Sequence, residues 1–337
     1  MKNILIIGGT RNMGYFLALR LLKQGHRLTI LNRGISHDEL PDHVHRLRAD
    51  RTDPQQMRRA LLAKSFDVVV DFVMYNSHEA ATSIELLKGN VGHYIFISSG
   101  QVYLVREDIE RPFSEGDYDG RVQPPPKAKT YAYEEWDYGM KKRAAEDAFA
   151  QAFAHAQFPY TALRLPMVNS ERDTFRRLYS YIVRLKDGGP ILIPETPTYP
   201  LRHIYSHDVV DALDYLIQTG QGQGRAYNIS QEETVSIGEF LDILGKLLYV
   251  KPKIARVKRS LLEANGFLPD CSPFSDRWMS ELTNTRSKEE LGLVYTPLPL
   301  YLEKLVAYYD ANKPPMPVGY KRRPAELQMA KQVLNKA

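Results

Sequence analysis

A chain of 337 residues, 43% hydrophobic and 25% charged, has the make-up of an ordinary globular protein and is long enough for one large domain or two closely joined ones. Its net charge of +5 suits anionic ligands, but the excess is modest for this length and does not by itself argue for nucleic acid. The only cysteine, Cys271, excludes an intrachain disulfide framework and a cysteine-based metal site, and no apolar run approaches the ~20 residues that cross a bilayer, so a soluble cytoplasmic protein with no membrane partner is expected.

The chain opens directly on a strand, Ile4–Ile7, without a basic region and apolar signal core. The strand is a short aliphatic run bounded by Gly8-Gly9 and reads as buried and parallel. Leu17, Leu21 and Leu22 recur at helical spacing, Gly25 ends that helix, and Leu28–Leu31 resumes as strand. Between the first strand and helix stand Gly8, Gly9 and Gly14, where missing side chains permit a tight turn and the approach of a pyrophosphate to the helix N-terminus. Asn3–Gly34 is therefore read as the opening of a dinucleotide-binding fold, with Thr10, Arg11, Asn12 and Met13 completing the phosphate turn.

A third strand is expected at Val44–Leu47, followed by Ala49-Asp50 and a helix begun by Asp53-Pro54 and carrying Met57, Leu61 and Leu62. Phe66–Val73 is the clearest buried strand; a helix at Ser77–Leu87 follows, then a strand at His93–Ile97 ending in Ser98-Ser99. This alternation predicts an α/β fold, a Rossmann-type doubly wound parallel sheet. Ligands then bind beyond the carboxyl ends of the strands, where Gly8, Asn32, Phe72 and Ser99 fall.

From Gly100 to Glu135 the pattern breaks into a polar stretch with Pro112, Pro124, Pro125 and Pro126, read either as a structureless wall or lid over the substrate or as a mobile surface insertion. A helix at Trp136–His155 and a strand at Tyr160–Leu165 complete a dinucleotide-binding domain over residues 1–165. The periods then become irregular: a helix at Thr174–Lys186, a strand at Ile191–Ile193, helices at His207–Gln218 and Ser236–Leu248 around a strand at Tyr227–Ile229, then helices at Arg286–Leu291 and Pro299–Ala311. Residues 166–312 are read as mainly a smaller α/β substrate-binding domain with some segments returning to the sheet, and 313–337, Pro-rich and basic, as a tail.

Tyr138 and Lys142 stand four apart on a predicted helix and project from one face. A tyrosine hydroxyl, with a pKa near ~10, is a poor base at neutral pH. An ammonium about 4 Å away at an effective dielectric of ~20 is worth up to about 4 kcal/mol, enough to bring that pKa down to about 7. At the end of the second strand, where an NAD-specific fold places Asp or Glu on the ribose 2′-hydroxyl, the chain has Asn32-Arg33. With Arg11 and Arg33 able to hold a 2′-phosphate, NADP is favoured over NAD; the other reading of Arg33 is a solvated charge.

GGTRNMG resembles the G-x-x-G-x-x-G of short-chain dehydrogenases/reductases, with Arg11 in the place of the middle glycine. Ser98-Ser99-Gly100-Gln101-Val102-Tyr103 followed by Tyr138-x-x-x-Lys142 resembles the extended branch of that family, the NAD-dependent epimerases/dehydratases. The segments YTALRLPMV, HIYSHDVVDAL, AYNIS and NTRSKEELG are similar, in order, to four further motifs of the family. The resemblance implies that Ser99 orients a substrate hydroxyl, that Tyr138 takes or returns its proton, and that Lys142 lowers the tyrosine pKa and bonds the nicotinamide ribose. It also implies that Asp50 holds the adenine amino group, although a capping or loop carboxylate is an equal reading.

Several positions depart from the family pattern. Gly100 and Gln101 stand where family dehydratases carry acidic residues, which disfavours elimination of water and leaves Gln101 facing the substrate. Asn169 and Ser170 replace a Tyr-Gly at a substrate-facing turn. Arg202 matches an arginine that holds a nucleotide diphosphate in relatives; the other reading is an exposed arginine. His203 and His207 have no third ligand type nearby, so capping or packing is expected and no metal.

The opening motif, the LNRG strand end and DFVMYN before GNVGHYIFISS also resemble a branch that includes chloroplast stem-loop-binding proteins, some of which act on RNA. An RNA-binding role predicts loss of Tyr138 and Lys142 and a focused basic strip; here the pair is kept and the basic residues are dispersed, so nucleic acid is not the expected partner. The expected function is an NAD(P)-dependent epimerase or dehydrogenase acting on a secondary alcohol of a sugar nucleotide. The alternatives are a carbonyl reductase or dehydrogenase of another substrate, or a non-catalytic nucleotide-sensing or RNA-binding protein. Family resemblance further implies a homodimer formed through the tyrosine helix and the Ser77–Leu87 helix.

Overall fold

A computed structural model describes residues 1–35 and 38–335. The first strands and helices are β1 (Asn3–Ile7), α1 (Asn12–Lys23), β2 (Arg27–Asn32), β3 (His45–Arg48), α2 (Pro54–Leu61), β4 (Phe66–Asp71), α3 (Ser77–Leu87) and β5 (Val91–Ser99). A short α4 (Gln101–Leu104), the long α5 (Tyr131–Ala156), β6 (Tyr160–Leu165), β7 (Val168–Asn169), α6 (Arg177–Lys186), β8 (Ile191–Pro194), β9 (Ile204–Tyr205), α7 (Ser206–Thr219) and β10 (Arg225–Asn228) follow. The chain continues through α8 (Ile237–Leu247), β11 (Ile254–Val257), α9 (Arg259–Ala264), α10 (Thr285–Leu291), α11 (Leu298–Asn312) and α12 (Arg323–Leu334).

Seven strands form one parallel sheet in the order β10-β6-β5-β4-β1-β2-β3. Alternation along each strand sends side chains to opposite faces. Ile4, Ile6, Val68, Val70, Ile95 and Ile97 meet α1 and α7 through Leu17, Leu21, Val209 and Leu213. Leu5, Ile7, Val69, Tyr94 and Phe96 meet α2, α3 and α5 through Met57, Leu61, Ala80, Leu87 and Phe149. Both faces are covered, which is why these strands read as nearly continuous apolar runs. The chain leaves β1 outward to β2 and β3, then returns to β4 on the other side, so the crevice beyond β1 and β4 is the switch point where ligands bind.

The remaining segments pack a second core, in which α6, α8 and α11 meet through Leu178, Tyr181, Ile182, Phe240, Leu241, Tyr301 and Leu305, beside the parallel pair β8–β11. No helix among the described residues is long and apolar enough to cross a membrane.

Two segments correct the expectations. Residues 100–135 are folded: α4 is buried, Glu115–Tyr118 form a 3-10 turn, and Val102, Tyr103 and Phe113 pack on Leu282. The main chain of Phe113 pairs with the segment around Glu281 and Thr283, so the order of this stretch comes from a distant partner. Its last residues belong to α5, which starts at Tyr131 and not at Trp136, because Thr130 caps the helix by accepting from the N–H of Tyr133. The segment after Lys313, expected as a tail, carries a 3-10 turn at Val318–Arg322 and then α12, which packs against β8 and β11. Glu326 of α12 lies buried between Arg184 and Arg323, with bonds of 2.6 and 2.9 Å to the first and 3.2 Å to the second.

Candidate active site

The turn between β1 and α1 is built by absence of side chains. Gly8 and Gly9 adopt φ of +76° and +70°, and a Cβ on Gly9 would stand 2.5 Å from Ile6 Cγ2 and 2.9 Å from Phe72. A Cβ on Gly14 would lie 2.3 Å from the Cα of Gly9, so that glycine lets α1 close onto the turn. No side chain caps α1 and its first turn holds no acid, so its N–H groups suit an anion.

Around this turn lies a cavity of about 620 Å³. Gly8, Gly9, Thr10, Arg11, Asn12, Met13, Gly14, Asn32, Arg33, Asp50 and Phe72 all line it, so these expected cofactor residues come together in one place. Asn32 Oδ1 accepts from the N–H of Gly34 at 2.9 Å and from the guanidinium of Arg48. Asp50 accepts from both the N–H and the hydroxyl of Thr52, at 2.9 and 2.8 Å, and these bonds hold its carboxyl below the usual range. Arg33, largely exposed, approaches Asp50 to 3.9 Å. A dinucleotide fits this lining: the glycine turn and helix N-terminus would take the pyrophosphate and Asp50 the adenine.

A network under this cavity was not foreseen. Arg51, buried in its floor, binds Asp71, which also accepts from Tyr94 at 2.5 Å, and reaches Glu79 at 3.3 Å. Its Nη1 has no partner among the described residues. The sequence signal was weak: an arginine beside Asp50 and an acid in the first turn of α3 only meet through the fold.

Ser99 closes β5, and Tyr138 and Lys142 lie on α5. The Ser99 side chain is close enough to the Tyr138 hydroxyl to favour its ionised form, but desolvation outweighs this and pushes the pKa up to about 12. Lys142 is buried and donates to the carbonyls of Met74 and Ile97 at 2.6 and 2.9 Å, with its nitrogen 5.7 Å from the centre of the Tyr138 ring and 4.9 Å from that of Tyr75. Burial lowers its pKa to about 8. The spacing predicts a tyrosine acidified by the lysine; here burial dominates and the pKa rises, while the ammonium is directed at two carbonyl oxygens.

A further cavity of about 510 Å³ is lined by Gln101, Tyr131, Glu135, Met167, Arg176, Arg177 and Trp278, among others. Ser99, Tyr138 and Lys142 line neither cavity themselves, but neighbours of theirs line both. Tyr75, under the ammonium, lines the first, and Gln101, whose N–H donates to Ser99 Oγ at 3.2 Å, lines the second. Of the expected substrate residues, Asn169 lies elsewhere: it is buried, and its amide is engaged with His203 at 3.2 Å and Tyr301 at 3.1 Å. Arg202 lines neither cavity and reaches Thr234 at 3.4 Å. Glu135 was missed because the predicted helix begins at Trp136 and leaves it in the polar stretch; its place three residues before Tyr138 was the one readable signal.

Comparison with known proteins agrees with this arrangement. The family model described as the NAD dependent epimerase/dehydratase family matches residues 4–93 and 83–230. The chloroplast stem-loop binding protein of 41 kDa b from Arabidopsis thaliana is 36% identical over 121 residues, which span 32% of this chain and only 32% of that protein. Among solved structures, the UDP-glucose 4-epimerase of Thermotoga maritima, determined with UDP-glucose, aligns with a TM-score of 0.71 at 18% identity, covering 93% of this chain and all of that one. The dTDP-glucose 4,6-dehydratase of Bacillus anthracis, in complex with NAD, aligns with a TM-score of 0.72 at 15% identity over 93% of this chain and 98% of its own. With the family model matching well over half of the chain and the parallel sheet on the page, the chain belongs to the NAD dependent epimerase/dehydratase family, of the extended short-chain dehydrogenase/reductase type.

Proposed function

We propose that this protein is an NAD(P)-dependent epimerase or dehydrogenase acting on a secondary alcohol of a sugar nucleotide. The observation that carries this reading is that neighbours of Ser99, Tyr138 and Lys142 line two cavities, Tyr75 the one at the glycine turn and Gln101 the one with Glu135. A bound nicotinamide would supply hydride acceptance and donation. The chain's own side chains handle the proton: Ser99 orients the substrate hydroxyl, and Tyr138 takes its proton on oxidation and returns it on reduction. Lys142 uses two of its three N–H donors on Met74 and Ile97, and the third is left for the nicotinamide ribose.

A sugar nucleotide suits the second cavity, where Arg176 and Arg177 bring cations for a diphosphate and Trp278 a flat face for a base. The solved relative that holds UDP-glucose supports the same class. The test is to purify the protein, identify any retained nucleotide, and follow nicotinamide absorbance on adding UDP- and GDP-sugars. An epimerised sugar with no net redox change is the expected result; stoichiometric oxidation or reduction would make it a plain dehydrogenase, and no response to any sugar nucleotide would remove the substrate class.

We favour NADP over NAD because β2 ends in Asn32 with Arg33 and Arg48 beside it and no carboxylate on that strand to repel a 2′-phosphate. Arg33→Ala is expected to weaken NADPH binding about tenfold, about 1.4 kcal/mol, and to leave NADH binding unchanged. Fluorescence titration of both nucleotides checks this, and equal losses for the two would refute it.

A further inference from the structure

Glu135 reaches the substrate cavity from α5, one turn ahead of Tyr138. The amide of Gln101 holds it twice, by 2.9 Å to Oε2 and 3.2 Å to the main-chain carbonyl. Gln101 in turn donates its N–H to Ser99 Oγ, so hydrogen bonds to Gln101 connect the carboxylate to Ser99, and the Tyr138 hydroxyl is close enough to Glu135 and Ser99 to feel both. The charged groups that face Glu135 are Asp276 and its helix neighbour Glu134, both acidic; the other titratable neighbour is Tyr131, and no cation pairs with it among the described residues. Burial and these acids raise its pKa. A half-buried acid without a cation gives little to stability, and one lining a cavity beside a tyrosine base is placed for proton transfer.

We propose that Glu135 is a second acid-base group of this site, which exchanges the C–H proton on the carbon next to the ketone formed by alcohol oxidation. The inference rests on the sugar-nucleotide reading. In the step, the Glu135 carboxylate takes the proton from the carbon alpha to the carbonyl, and the C–H electron pair moves into the enolate. The enolate oxygen is met by the hydroxyls of Ser99 and Tyr138. Return of a proton from the Glu135 carboxylic acid to the same face regenerates the ketone with no net gain or loss of atoms or electrons. Gln101, whose amide holds the carboxylate, is its positioning residue. The reaction class therefore widens from inversion at the oxidised carbon to changes at its neighbour.

The test uses the purified holoenzyme in deuterium oxide with UDP-glucose and dTDP-glucose as probes. Nicotinamide reduction is read by absorbance and deuterium at the neighbouring carbon by mass spectrometry. Wild type is expected to incorporate deuterium, and Glu135→Gln to lower the ratio of exchange to reduction on the order of 100-fold. Glu134→Gln, at the exposed adjacent position, is expected to keep the wild-type ratio, and if Glu135→Gln does not fold, Glu135→Asp is measured against the same control. Reduction without exchange in wild type, or a ratio indifferent to Glu135, overturns the inference alone. No reduction with either probe overturns the substrate reading for these sugars, and the inference falls with it.

Discussion

Tyr138→Phe is expected to slow alcohol oxidation on the order of 10²–10⁴-fold while the cofactor still binds. The change removes one oxygen and keeps the ring on α5. It also removes the group placed to accept the hydroxyl proton. The pH profile gives the same assignment a second measure. With the hydroxyl pushed up to about 12, above the ordinary value for tyrosine, it is almost wholly protonated at neutral pH. Its basic form then grows about tenfold per pH unit, and oxidation should rise accordingly. Reduction needs the protonated hydroxyl as donor and should stay flat through neutrality. Lys142, lowered to about 8 by burial, loses its charge above that pH, so the rise in oxidation should bend there. Stopped-flow rates in both directions between about pH 6 and about pH 10, which brackets the Lys142 value and stays below that of Tyr138, check the signs. A Tyr138→Phe enzyme that keeps its rate would refute the assignment.

Glu326→Ala is expected to cost about 3–5 kcal/mol of stability. Glu326 is fully buried and lies between Arg184, itself fully buried, and Arg323. Removing it leaves the Arg184 guanidinium desolvated without its partner; Arg323 suffers less, because Asp187 holds it at 2.6 and 2.8 Å. The unpaired charge produces this cost, so replacing Arg184 and Glu326 together by Met and Leu is expected to recover most of it. Urea denaturation of the single and double variants measures both. A single variant within about 0.5 kcal/mol of wild type would mean that α12 is not part of the cooperative unit.

That second prediction concerns a part of the chain the sequence misrepresents. The glycine turn, β1 and β2 were legible because their signals are local: a strand-length apolar run, glycines at positive φ, leucines at helical spacing. The cofactor cavity followed, since its lining comes from residues adjacent to strand ends. Residues 313–335 look like a solvated tail because their prolines and basic residues say nothing of Arg184, which pairs with Glu326 from far along the chain. Phe113 reads as part of a loop until the main chain around Leu282 lies beside it. Asn169 occupies a substrate-facing position by resemblance, and only the neighbouring His203 and Tyr301 show that its amide is already engaged. Glu135 was visible as a spacing, but its link to Gln101 needed α5 to begin at Tyr131.

The start of α5 has one more consequence. Along this helix Glu135, Tyr138, Lys142 and Glu146 recur at intervals that keep them on one stripe, and three of them are tied to the sheet side: Glu135 to Gln101, Lys142 to Met74 and Ile97, and Glu146 to Ser98 and Arg164. The proton-handling groups are thus ordered by the folding of a single rigid rod. Their alignment is settled when the chain folds and need not be re-established at each turnover, so little of the activation entropy should come from bringing them into line.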